Sequence, residues 1–240
     1  MFDLSVSPHV LITAVLIMGI GSAFQATVGI GLALFVAPLL ALVEPRFIPG
    51  PMLLAAVLLA FATAYRERIA LDWKGLGLSL VGLAVGTIVG AIALKLVAGP
   101  ALPKVFGILV LLAVVISVSG IRVDPSRRTL FIAGGAAGIM GTMVGIHGPP
   151  ISLVFQNARP DVARAMLGAF FALAYVGAVT ALAAVGLFGL KEFALAVILL
   201  PGVVGGFIVA PLMARFVNRR RLRTTILLIS AISAVLLILR

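Results

Sequence analysis

The sequence predicts an all-α polytopic membrane protein of two inverted repeats, each a re-entrant or broken helical hairpin followed by three transmembrane helices. Three observations predict it. Hydrophobic residues make up 63% of the 240 positions and charged residues 10%, against roughly 45–50% and about 25% in soluble domains. Two long apolar runs are broken by glycine-rich stretches, at 26–33 and at 141–150. The stretches align, Val28-Gly29-Ile30 on Val144-Gly145-Ile146, at an offset of 116 residues, nearly half the chain. Paired breaks in corresponding halves point to the binding site of a secondary transporter.

The apolar runs are long and do not alternate, so they read as helices and not as barrel strands. Expected helices are 10–28, 32–43, 51–65, 75–97, 102–120, 129–146, 150–158, 164–187, 192–214 and 223–239. The runs 32–43 and 150–158 reach only about 18 and 14 Å at 1.5 Å per residue, too short for a ~30 Å hydrocarbon core. Each follows a glycine break, which gives the hairpin: helix in, turn, half-helix back. At 141–150 the break has a covalent cause, because Pro149 and Pro150 remove two backbone donors and Pro149 disfavours helical geometry at Gly148.

The similarity continues past the hairpins. Gly86-Thr87-Ile88-Val89-Gly90-Ala91 matches Gly205-Gly206-Phe207-Ile208-Val209-Ala210, and 104–111 matches 223–230, both at an offset of 119. The halves are therefore drawn as 1–120 and 121–240, both transmembrane. Small residues four apart (Gly82, Gly86 and Gly90; Gly202 and Gly206) predict close helix packing.

Charge sets the orientation. The loops 66–74, 121–128, 159–164 and 215–223 carry 13 of the 18 Lys and Arg residues, so they are placed in the cytoplasm. Arg46, Lys95, Lys104, Lys191 and Arg240 then fall outside or at the C-terminus. The first hairpin enters from outside, the second from the cytoplasm, and both termini lie outside. The net charge of +11 is this loop bias; with no basic, aromatic-interleaved surface it implies no nucleic-acid partner. Residues 1–9 contain Asp3 and no Lys or Arg, so they lack a signal-peptide n-region and the first run is expected to stay. Cysteine is absent, which excludes disulfides and thiolate metal sites. Neither a P-loop nor H-E-x-x-H occurs, and no aspartate pair lies in an apolar run, so neither a nucleotide-driven pump nor an intramembrane enzyme is indicated.

Hairpins entering from opposite faces bring helix N-termini, the positive ends of peptide dipoles, toward one cavity near the midplane. Gly29, Gly31, Gly145 and Gly148 let a ligand approach the backbone. No Lys or Arg is available at depth, so a small anion is expected to be held by backbone and neutral donors. The substrate-binding candidates are Gln25, Thr27, Gly29, Gly31, Thr142, Gly145, His147, Gly148, Pro149 and Gln156. His147, the one histidine away from the N-terminus, can donate to an oxyanion or carry a proton, with an unperturbed pKa near 6.5. No cofactor or metal is expected beyond coupling to protons. The same tips would serve a passive anion channel, the alternative to a carrier.

The paired turns, Gly29-Ile30-Gly31 followed by Pro38 and Gly145-Ile146-His147-Gly148-Pro149-Pro150, resemble the TauE/SafE-type sulfite exporters, also called four-toluene-sulfonate uptake permeases. The resemblance covers the whole chain in length, repeat and helix pattern. It implies transport of sulfite, sulfonates or related sulfur-containing or carboxylate anions without ATP hydrolysis, in a bacterial cytoplasmic membrane. Here Leu32 and Ala33 follow Gly31, and His147 interrupts the second turn, where that family commonly has runs of glycine.

Overall fold

The computed structural model describes residues 6–28, 32–97, 99, 101–121, 123–216 and 218–239. Gly29 and Gly31 lie outside the described residues. Ten α-helices carry the described chain: α1 (Pro8–Val28), α2 (Leu32–Val43), α3 (Gly50–Glu67), α4 (Trp73–Val97), α5 (Leu102–Val118), α6 (Arg127–Val144), α7 (Gly148–Phe155), α8 (Pro160–Ala184), α9 (Leu190–Phe216) and α10 (Arg219–Leu239). Short 3₁₀ turns at Pro45–Phe47 and Arg68–Ala70 complete it, with no strand among the described residues.

Helix starts follow local chemistry. Proline sits in the first turn of α3, α5, α7 and α8, where a missing N–H costs nothing. Ser126 opens α6 with a capping box, its hydroxyl accepting from the Thr129 amide at 3.1 Å. Helix α2 covers the expected 32–43 and runs through Pro38. Helix α7 begins at Gly148, not 150, because prolines at its second and third positions need no donor, and it ends at Phe155.

Helices α1, α4, α8, α9 and α10 are long and apolar enough to cross a membrane. This is an integral membrane protein. Val81, Val85, Ile88 and Ile92 form an exposed apolar stripe down α4, and Leu228, Ile232 and Leu236 do the same on α10. Such stripes face lipid, a solvent as apolar as the side chains. By rise alone α1 is roughly 31 Å long and α6 roughly 27 Å. Each therefore reaches past the middle of a ~30 Å core before its break.

Two pairs of helices pack through glycine. A Cβ on Gly86 of α4 would overlap the Gly135 carbonyl of α6, and one on Gly206 of α9 would overlap the Gly19 carbonyl of α1. Gly82 and Gly202 sit equally close to the Phe131 and Val15 carbonyls. Gly19 and Gly135 are 116 residues apart, but Gly86 and Gly206 are 120 apart. Gly86 and Gly206 thus hold like places, each against a glycine carbonyl of its partner helix.

The contacts have a further regularity. Replacing each helix by the one five places on maps α1–α9 onto α6–α4, α3–α9 onto α8–α4, and α2–α10 onto α7–α5. The pairs α3–α8 and α5–α10 map onto themselves.

Candidate functional site

Helix α6 ends where Gly145 takes the left-handed conformation, φ 81°, its amide donating back to the Gly141 carbonyl at 2.8 Å. Only glycine adopts this without strain, and a Cβ here would also overlap the Met52 methyl on α3. The chain then turns through Ile146 and His147 into α7, for which His147 is the N-cap residue. Pro149 and Pro150 have no N–H, so the donors this tip can offer are the amides of Ile146, His147 and Gly148. The helix-terminus share of an anion site is therefore thinner than a glycine hairpin alone implies, and side chains must supply the rest.

Four helices meet here. Gln25 of α1, Ala33 and Leu34 of α2, Ile146, Gly148 and Pro149 of the second turn, and Phe171 and Tyr175 of α8 line one small cavity. Its free volume of about 10 Å³ is close to what one water requires. No lining residue carries a formal charge. Gln25 is 8% exposed, and its amide interacts with the Tyr175 hydroxyl.

His147 stands beside this cavity, 1% exposed, with neither ring nitrogen hydrogen-bonded. The Gly145 backbone is near enough to act on the ring but lacks hydrogen-bond geometry. The ring lies against Gly141, where any Cβ would overlap it, and meets Tyr175 edge-on at 5.3 Å. Tyr175 in turn stacks on Phe171, one turn earlier on α8, at 5.9 Å and 5°. Two unpaired buried nitrogens cost free energy unless something meets them, so this side chain is poised for a polar partner.

The structure brings together Gln25, His147, Gly148 and Pro149, with Gly145 shaping the turn. It does not bring Thr27, Thr142 or Gln156 to the cavity. The Thr27 hydroxyl lies within hydrogen-bond distance of the Ala23 carbonyl, at 2.7 Å, and of the Ala210 carbonyl on α9, at 3.3 Å, so it serves helix packing. Thr142 is fully buried against Gly90 of α4. Gln156 is exposed at the end of α7, and its amide donates to the Ile121 carbonyl, tying down the loop after α5. Sequence reasoning missed Phe171 and Tyr175. The available signal was Tyr175 itself, one of two tyrosines in the chain, placed mid-way along an apolar helix where a hydroxyl needs a reason. No group of three or more His, Asp and Glu able to hold a metal occurs among the described residues.

Neither the curated proteins nor the solved structures give a match to the chain. The family model for the sulfite exporters TauE/SafE matches residues 13–237. With helices built to cross a bilayer and that match over nearly its whole length, the chain belongs to the TauE/SafE sulfite exporter family of membrane transporters.

Proposed function

We propose that the chain is a secondary transporter of a small oxyanion, sulfite or a related sulfur-containing or carboxylate anion, which binds at the cavity between α1, α2, α7 and α8 when the transport cycle widens it beyond the room of one water. The observation that carries this reading is His147, wholly buried at the start of α7 with both ring nitrogens free, beside a cavity that also presents Gln25 and Tyr175. A neutral donor set of this kind binds an anion through hydrogen bonds and without a permanent countercharge, each bond to the charged group contributing roughly 1.5–3 kcal/mol.

Alternating access is supported by helix direction. Along α4 and α6 the glycine contacts advance together, Gly82 with Phe131 and Gly90 with Ile139, so these helices run parallel. Helices α1 and α9 likewise run parallel, Gly19 with Gly202 and Thr27 with Ala210. Helices α5 and α10 run antiparallel, Gly107 meeting Ile238 and Arg223 meeting Ser117. With short connections reversing direction between α4 and α5 and between α9 and α10, α1 and α6 point opposite ways. That is the relation two inverted halves, 1–120 and 121–240, require, and rocking one half against the other exposes a shared site to each face in turn. The protein is placed in a bacterial cytoplasmic membrane with both termini outside.

Sulfite flux into proteoliposomes tests the reading. A carrier gives saturable flux that rises when the lumen is preloaded with sulfite. Flux linear in concentration and indifferent to preloading marks a passive channel and sinks the carrier.

A further inference from the structure

A second cavity, of about 300 Å³, lies apart from the anion site among the C-terminal ends of α2, α4 and α10 and the N-terminal end of α5. Every residue lining it is apolar, Ala41, Leu94, Phe106, Met143 and Leu237 among them. Nothing in the lining side chains can replace an anion's water, so the cavity is unsuited to sulfite. Its volume is more than ten times the roughly 10–15 Å³ that one water needs on the same measure, room for part of an acyl chain.

Exposed bases neighbour the lining along the chain. Three lining residues are each followed in the chain by an exposed base: Pro45 by Arg46, Leu94 by Lys95 and Pro103 by Lys104. Arg46 is paired with Glu44 at 3.0 Å, and that hydrogen bond holds the Glu44 carboxyl below its ordinary range. Two positive charges remain in excess. These are three of the five bases that loop charge leaves on the sparsely basic side of the membrane, where topology gives no reason for them. An apolar slot at the helix ends, with exposed bases one residue from its lining and within a long side chain's reach, suits an acyl chain joined to a phosphate.

We propose that this cavity holds an acyl chain of an anionic phospholipid, whose headgroup phosphate is met by Lys95 and Lys104. The chain's inner end touches Met143, two residues before the Gly145 turn, so lipid and anion bear on the same end of α6.

The test uses the full-length protein reconstituted in an equal mixture of phosphatidylglycerol and phosphatidylcholine, then released for native mass spectrometry. The wild type should retain phosphatidylglycerol over phosphatidylcholine by about tenfold, a difference of about 1.4 kcal/mol. Lys95→Gln with Lys104→Gln should lose that preference while unfolding at the same temperature. In the same vesicles Phe106→Cys, the sole thiol in the chain, should resist a charged thiol reagent. Equal retention of both lipids by the wild type, or a preference that survives the double substitution, overturns the proposal. Rapid reaction at position 106 overturns it as well, since the cavity would then be a water-filled vestibule.

Discussion

Gly145 and Gly148 stand three residues apart in one turn, yet alanine at the two positions should have opposite consequences. At Gly145, with φ 81°, a side chain costs about 1–2 kcal/mol for the left-handed backbone. Its Cβ would also overlap the Met52 methyl, an overpacking cost of about 1–3 kcal/mol. Gly145→Ala should therefore lose roughly 2–5 kcal/mol of stability, read as an earlier unfolding transition in mild detergent. Met52→Ala in the same chain should recover the steric part but not the backbone part. At Gly148 a Cβ meets only Phe171 Cζ, at an ordinary 3.7 Å, and φ is unremarkable. Gly148 lines a cavity with about 10 Å³ of room, close to one water's need, so an added methyl takes space the anion requires. Gly148→Ala should unfold like the wild type yet lower sulfite flux in proteoliposomes by about tenfold or more, as 1–3 kcal/mol of crowding would. If Gly148→Ala transports normally, or Gly145→Ala is as stable as the wild type, the described turn is not the one the protein uses.

Gly86→Leu and Gly206→Leu should each destabilise by several kcal/mol, because both press a side chain onto a neighbouring helix carbonyl; parallel thermal melts would show it, and a tolerated leucine at either place would contradict the packing. Reporters fused after residue 239 and into the 215–223 loop should read opposite sides of the membrane, outside and cytoplasmic. A cytoplasmic signal at the C-terminus breaks the inverted arrangement.

Much of this fold was legible because a bilayer imposes simple rules on sequence. Apolar length marks the helices, and the covalent limits of Pro149 and Pro150 fix a break whatever surrounds it. The glycine ladders of α4 and α9 were visible as spacing, but spacing does not name the partner. Only packing shows Gly86 against Gly135. The site was half legible for the same reason. His147 and Gly148 belong to the break and were found with it, as was Gln25 one turn before its counterpart. Tyr175 and Phe171 come from α8, whose face toward the cavity is set by tertiary packing and leaves no local mark. Thr27, Thr142 and Gln156 were close in sequence but point elsewhere, since successive helix residues are turned by 100°, and nearness along the chain does not fix a shared face.

If Gln25, Tyr175 and the α7 turn hold the anion, calorimetric titration of purified protein with sulfite will show it in the affinities of single variants. A hydrogen bond to a charged group contributes roughly 1.5–3 kcal/mol. Gln25→Leu and Tyr175→Phe should therefore each weaken sulfite binding by about ten- to a hundredfold. Gln156→Leu, altered at an exposed residue remote from the cavity, should bind like the wild type. Wild-type affinity in both cavity variants, or an equal loss in Gln156→Leu, would mean that these groups do not hold the anion.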